Sequence, residues 1–290
     1  MGYLYPEPVV VAPGQLNTVF VQGNLQDNIG VTLRQASDVA APILAVRPAG
    51  DCNTRLSAPC APMTAITVQI PFEIELPCLA CGILYSGSPP ELFVTANGAA
   101  GTPFPLSPQT DRVHILTACD TVVPDGSGSA SSNGLPCSPL VTHADGSPVA
   151  AWNPARGGEE IVAYAVGLGP TTPAVPTGQA AATATPTSET LALDFDFRPD
   201  ALATLPFPQL FIISARPFLF PQAAPDGQPP APLFSGLVQG YVGLYQINFV
   251  VPQPPLGVRA CSGAVQSNLT VSVGGLNSFD GAGICVAPSE

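Results

Sequence analysis

Ile66-Thr-Val-Gln-Ile-Pro71 and Ile247-Asn-Phe-Val-Val-Pro252 are the two segments that decide the fold. Apolar and polar side chains trade places along each run, the period of a half-buried strand, and a proline with no N–H for a ladder ends it. Working outward, Ala12-Pro-Gly-Gln-Leu-Asn-Thr-Val-Phe-Val-Gln-Gly23 is matched by Pro154-Ala-Arg-Gly-Gly-Glu-Glu-Ile-Val-Ala-Tyr-Ala-Val-Gly167, each a glycine turn, a strand and a closing glycine. Downstream, Leu92-Phe-Val-Thr-Ala-Asn-Gly98 is matched by Leu269-Thr-Val-Ser-Val-Gly-Gly275. Three signals in the same order predict a duplication whose copies cover about residues 8–118 and 154–287. No dozen residues free of proline carry a helical stripe. The predicted fold class is therefore all-β: two tandem Ig-like antiparallel β-sandwich domains with long Pro/Gly-rich loops. The first spans 1–118, a cysteine-bracketed loop and linker follow over 119–153, and the second spans 154–290. A Pro-rich insertion from Pro217 to Pro232 reads as a long surface loop in the second copy.

Composition narrows the chemistry. The 290 residues are 46% hydrophobic and only 10% charged, so the chain has the means to bury a core and lacks the signature of disorder. All 8 basic residues are arginine, which removes Schiff-base chemistry, a phosphate-loop lysine and a lysine general base. A net charge of −12 repels polyanions and argues against nucleic acid as a partner. No apolar run reaches the roughly 18 residues needed to span a bilayer, and no membrane insertion is expected.

The eight cysteines are Cys52, Cys60, Cys78, Cys81, Cys119, Cys137, Cys261 and Cys285. Their even number points to disulfides and an oxidising compartment. A zinc knuckle needs two close pairs, and only Cys78-Leu-Ala-Cys81 has that spacing. That pair also has a redox reading, but Pro77 before it and Gly82 after it do not supply the helix N-terminus that stabilises a reactive thiolate. Confining bridges to domains and preferring short loops gives Cys52–Cys60, Cys78–Cys81, Cys119–Cys137 and Cys261–Cys285. Export is expected with the signal peptide absent from this sequence, because Met1-Gly2-Tyr3-Leu4-Tyr5 has neither a basic nor an apolar leader region.

Arg156-Gly-Gly-Glu-Glu-Ile-Val-Ala-Tyr-Ala-Val-Gly-Leu-Gly-Pro-Thr-Thr-Pro-Ala-Val-Pro-Thr-Gly-Gln179, followed by Phe234-Ser-Gly-Leu-Val-Gln-Gly-Tyr-Val-Gly-Leu-Tyr-Gln-Ile-Asn-Phe-Val-Val-Pro252, resembles the Solibacter-type C-terminal domain of secreted acidobacterial proteins. Val11-Ala-Pro-Gly14 and His143-Ala-Asp-Gly-Ser147 resemble segments that precede that domain. The Pro-rich insertion and the Cys261/Cys285 pair depart from the family pattern. The resemblance implies an Ig-like sandwich at the cell surface and carries over no catalytic residue.

The search for chemistry finds little. His114 and His143 are the only histidines, and no Gly-x-Ser-x-Gly elbow accompanies them; Gly126-Ser-Gly-Ser-Ala130 is nearest but lacks a strand-turn-helix setting. His143-Ala-Asp145-Gly-Ser reads as a turn beside a strand. Asp194 and Asp196 alternate with Phe195 and Phe197, so either the carboxylates form a solvated outer face or they bind calcium, with the solvated face preferred. Glu73 and Glu75 carry the same ambiguity, and Asp120 and Asp280 are assigned to turns. Asn268-Leu-Thr270 is one short sequon. Trp152, the single tryptophan, is expected to pack in the core or between domains, as is Tyr245. No cofactor and no metal are expected.

These observations favour a non-enzymatic extracellular structural or adhesive protein that self-assembles into filaments or a surface layer, or binds other cell-surface components. A carbohydrate-binding accessory protein is the alternative, and a hydrolase with an unfamiliar site a distant third. For assembly, Tyr3, Leu4, Tyr5, Val9, Val10 and Val11 form an apolar, proline-extended segment suited to strand addition on a neighbour's sheet edge. Equally, Val9 to Val11 can be the first strand of their own domain.

Overall fold

A computed structural model describes residues 8–25, 27–49, 62–77, 88–120, 137–197, 231–262, 267–274 and 278–289. Nine strands build a first unit: β1 (Val9–Val11), β2 (Leu16–Gln22), β3 (Ile29–Arg34), β4 (Val39–Ala40), β5 (Ile43–Ala49), β6 (Met63–Gln69), β7 (Glu91–Ala96), β8 (Ala99–Ala100) and β9 (Phe104–Pro108). They form one sheet in the order β2-β6-β5 and another in the order β1-β9-β7-β3-β4, with β8 paired to β7. Nine more build the second: β10 (His114–Ile115), β11 (Val141–His143), β12 (Glu160–Val166), β13 (Thr185–Pro186), β14 (Leu191–Asp196), β15 (Pro232–Leu237), β16 (Tyr245–Val250), β17 (Ser267–Val273) and β18 (Ser278–Ile284). Their sheets run β10-β12-β16-β15-β13, with β11 also on β12, and β14-β17-β18. No helix occurs among the described residues.

The duplication is legible in the strand order. Antiparallel β2-β6-β5 corresponds to β12-β16-β15, and β3-β7-β9 to β14-β17-β18. Each unit adds one parallel contact to its last strand or just beyond it, Val9–Val11 on Leu106–Pro108 in the first and Ala155 on Val286 in the second. Two antiparallel sheets in this order are the Ig-like sandwich.

Cross-strand pairs of unequal size fill the second core. Ile161, Ala163 and Ala165 of β12 lie opposite Phe249, Ile247 and Tyr245 of β16, and all six are fully buried. Facing them, Leu191, Leu193 and Phe195 of β14 pair with Val273, Val271 and Leu269 of β17. Large side chains opposite small ones let the two layers interdigitate. In the first core Val31 and Leu33 sit opposite Val94 and Leu92, over Ile66 and Val68.

Two expectations are corrected here. The second sandwich does not begin at 154: β10 and β11, within and just before the stretch read as a linker, pair antiparallel with β12. Their backbone N–H and C=O groups need a ladder, and the outer edge of β12 supplies one. Secondly, Val9, Val10 and Val11 are β1 of their own domain, with Val11 buried, so these three do not reach for a neighbour. Tyr3, Leu4 and Tyr5 lie outside the described residues.

The units meet closely. Leu16, Leu116 and Val166 form a small buried cluster with Leu140, Tyr164 and Leu244. Gly243 has no side chain because a Cβ there would lie 2.6 Å from Leu16 Cδ2 and 2.8 Å from the Gly14 carbonyl oxygen. Beside it, the Gly178 N–H donates to Gln69 Oε1 at 2.7 Å, and the Thr177 hydroxyl accepts from the Phe72 N–H at 2.9 Å while donating to Glu73 Oε2 at 2.6 Å. The crossing chain is tied down as well, with the Arg112 N–H donating to the Gly167 carbonyl at 2.7 Å.

Candidate functional site

The titratable side chains gather in two clusters on the second sandwich. In the first, β10 presents His114 between two carboxylates. Nδ1 lies 2.8 Å from Asp280 Oδ2 on β18, and Nε2 lies 3.0 Å from Asp120 Oδ1. Each carboxylate is held in turn: Asp280 Oδ2 accepts from the Ile115 N–H at 2.8 Å, and Asp120 Oδ2 accepts from the Thr117 N–H at 2.6 Å and its hydroxyl at 2.7 Å. With an acceptor at each nitrogen, both carry protons and the ring is an imidazolium. Hydrogen bonds to Asp120 and then Asp280 outweigh burial and push its pKa up to about 10. For Asp120, burial raises the pKa, yet the bonds from His114 and Thr117 prevail and lower it. Such a ring has no lone pair for a metal or a proton. It clamps β10, in one sheet, to β18, in the other.

A neighbouring serine–aspartate pair extends the clamp. The Ser278 hydroxyl donates to Asp111 Oδ1 and accepts from the Val113 N–H at 3.1 Å, while the Thr110 hydroxyl donates to Asp111 Oδ2 at 2.9 Å. Asp111 is fully buried.

The second cluster surrounds His143 on β11. Its Nδ1 contacts Glu159 Oε1, and Nε2 donates to the Asn153 carbonyl at 3.2 Å. Glu159 Oε2 accepts from the Arg156 N–H at 2.9 Å. Burial works against a charge on His143, but the bonds to Glu159 and Asn153 overcome it and raise the pKa; burial likewise raises that of Glu159, which His143 and Arg156 lower on balance. Asp145 takes part in turn geometry, accepting from the Ser147 N–H at 2.8 Å, and Gly146 follows it at φ +84°. Both ring nitrogens of His143 are thus engaged by acceptors within the fold. The ring reaches no serine nucleophile.

The remaining candidates fall out differently from one another. Cys119–Cys137 and Cys261–Cys285 are disulfides, with Cα atoms 5.4 and 5.1 Å apart. Cys52, Cys60, Cys78 and Cys81 lie outside the described residues. Phe195 and Phe197 pack together in the second core, ring centroids 5.1 Å apart. Asp196, expected on a solvated face, is instead buried at the end of β14, so that reading is corrected; register places it opposite Asn268. Asn268 itself is buried in β17, where a glycan has no room. Glu73 serves the contact between sandwiches. Among the described residues no three His, Cys, Asp or Glu side chains group as a metal site.

The aromatics divide. Tyr245 is fully buried, as expected, and its hydroxyl donates to the Gly169 carbonyl at 2.5 Å; burial raises its pKa. Trp152 is the correction: it is 74% exposed, at the tip of the connection between β11 and β12. The small apolar residues around it, Ala150 and Ala151, give it nothing to bury against.

Sequence reasoning missed the His114 clamp because Asp280 is 166 residues away and Asp111 meets Ser278 across 167. Only Thr117-Ala-Cys-Asp120, a short self-bonding turn, carries a local signal.

No protein-family model matches the chain, and no curated protein is similar to it. Among solved structures, a chimeric titin Z1Z2 functionalized with a KLER exogenous peptide from decorin is similar at 9% identity, over 98% of this chain and 93% of that chain, with a TM-score of 0.18. The sandwich fold follows from strand order and register alone.

Proposed function

We propose that this chain is a non-enzymatic structural or adhesive protein of the cell surface that assembles by strand addition between copies. The observation that carries the reading is the outer edge of β2. In the second sandwich the equivalent strand, β12, has its outer edge covered by β10 and β11. In the first, β2 ends its sheet, and among the described residues no strand pairs with that edge. Phe20 on β2 is 45% exposed beside it. An open edge with an apolar side chain is a template for another strand. Tyr3-Leu4-Tyr5, ahead of Pro6, supplies one of suitable chemistry from a neighbouring copy. A contact of this head-to-tail kind propagates when it does not close.

Three further features support the reading. Both histidines hold their protons in internal bonds. The disulfides suit an oxidising compartment. The resemblance of residues 154–275 to a domain of exported proteins is in keeping with it.

Light scattering over a concentration series, with negative-stain images, tests the proposal on the full chain, a version lacking residues 1–7, and Phe20→Lys. Oligomers or filaments should form from the full chain and be lost in both variants. Monodisperse monomers of all three at high concentration would end the assembly reading.

A further inference from the structure

We infer that the hairpin tip bearing Trp152 is a binding site for neutral polysaccharide, with the indole as the platform for one sugar ring. The inference names a ligand for the adhesive reading above and rests on that reading only in taking the chain to act through its surface.

The tip is built to hold the indole out. Ala150 and Asn153 close it with two backbone bonds, Ala150 N–H to the Asn153 carbonyl at 3.0 Å and Asn153 N–H to the Ala150 carbonyl at 2.9 Å, leaving Ala151-Trp152 as a two-residue turn. Turns of this length favour glycine or asparagine at positive φ. Neither Ala151 nor Trp152 has a positive φ, so the turn is one that most residues can form, and its backbone does not call for a tryptophan. The turn is stabilised from behind instead. Asn153 Nδ2 donates to Ser147 Oγ at 3.3 Å and to the Pro148 carbonyl at 3.2 Å, and the Asn153 carbonyl accepts from His143 Nε2 at 3.2 Å. His143 is fixed by Glu159, whose other oxygen holds the Arg156 N–H at 2.9 Å. A large apolar side chain offered to solvent on a turn pinned from behind by three polar contacts is a departure from local consistency, and such departures concentrate at functional positions.

The surroundings choose the ligand. Trp152 is 74% exposed, and the exposed residues that flank it along the chain are Ala144, Asp145, Gly146, Pro148, Ala151, Arg156 and Gly158. Apart from Trp152 these are small or polar residues, and none adds the second large apolar side chain that a protein partner or a lipid surface would bury. A sugar ring asks for less: an aromatic face for its C–H bonds and polar groups at the rim for its hydroxyls. A chain of net charge −12 with no lysine disfavours anionic glycans, which leaves neutral ones.

Because Trp152 is the single tryptophan, intrinsic fluorescence of the full chain reports on this tip alone. The probes are laminarin, xylan and cellohexaose. At least one should shift the emission to the blue and cut acrylamide quenching severalfold at saturation. In affinity gels cast with the same polysaccharide, the full chain should be retarded, Trp152→Ala should run as in a blank gel, and Tyr241→Ala, changed at another exposed aromatic, should be retarded like the parent. No spectral change with any probe, or equal retardation of Trp152→Ala, would overturn the inference. A blue shift that grows with protein concentration alone would overturn it too, assigning the tip to contact between copies. Either failure leaves the β2-edge reading to be judged by its own scattering experiment.

Discussion

At the scale of single residues, His114 does the most. Its raised pKa makes it a source of pH-dependent stability with a definite sign. The contribution is fully present below the histidine's ordinary 6.5 and is lost as pH rises through about 10. Asp120 acts on the acid side: its lowered pKa contributes stability above the ordinary aspartate value of 3.8 that is lost as pH falls through the depressed one. Melting temperatures measured from neutral pH to about 10.5 should therefore fall for the parent and stay flatter for His114→Gln, which keeps a polar group without the titration. Asp280→Ala leaves both the imidazolium and the Ile115 N–H short of a partner and should cost about 1–3 kcal/mol by denaturant unfolding at neutral pH. Two glycines offer a matched comparison. Gly98 has φ +80° with open space around it, and its change to alanine should cost about 1–2 kcal/mol in left-handed strain alone. Gly167 has φ +77° and would put a Cβ 2.0 Å from the Arg112 carbonyl oxygen, so alanine there should cost about 1–3 kcal/mol beyond that strain. Of all this the sequence showed only the closing glycine of a repeated pattern. What Gly167 touches depends on where the chain crosses between sandwiches, which no local signal contains.

At the scale of elements, strands whose residues alternate or pair large with small were readable, and those that borrow an edge were not. Ile66-Thr-Val-Gln-Ile70 and Ile247-Asn-Phe-Val-Val251 are strands as expected, and β16 keeps the alternating burial its sequence shows, whereas in β6 the polar Thr67 and Gln69 are buried too, because the second sandwich and β2 cover them. β10 is two residues long and β11 three, too short for a period, and each exists because β12 accepts its hydrogen bonds. The same limit hid Trp152, whose exposure is a property of a turn enforced by His143 and Asn153 rather than of its own hydrophobicity. Phe249→Ala empties a fully buried position opposite Ile161 and should destabilise by about 3–5 kcal/mol. The Cys119–Cys137 bridge closes a loop of 18 residues, and replacing both cysteines with serine should cost about 3 kcal/mol through the entropy of the unfolded chain. Thermal denaturation of the double-serine variant beside the parent, both without reductant so that Cys261–Cys285 stays closed, checks the second value.

For the whole molecule, the repeat in the sequence predicted two sandwiches, and strand order bears that out. The joint between them was not legible, since its parts come from segments that look like ordinary turns. Gly14 and Gly243 approach backbone to backbone, Thr177 and Gly178 bond to Phe72, Glu73 and Gln69, and Leu16 packs with Leu116 and Val166. Contacts from two separate stretches of the first sandwich and four of the second resist rotation of one against the other. The pair should consequently move as one body, presenting the β2 edge and the Trp152 tip in a fixed relation to each other. Residual dipolar couplings from backbone amides of both sandwiches, recorded on the full chain in one weakly aligning medium, test this most directly. A single alignment tensor should fit the couplings of β2, β3, β6 and β7 together with those of β12, β14, β16 and β17. Two tensors of clearly different magnitude, one for each sandwich, would contradict it.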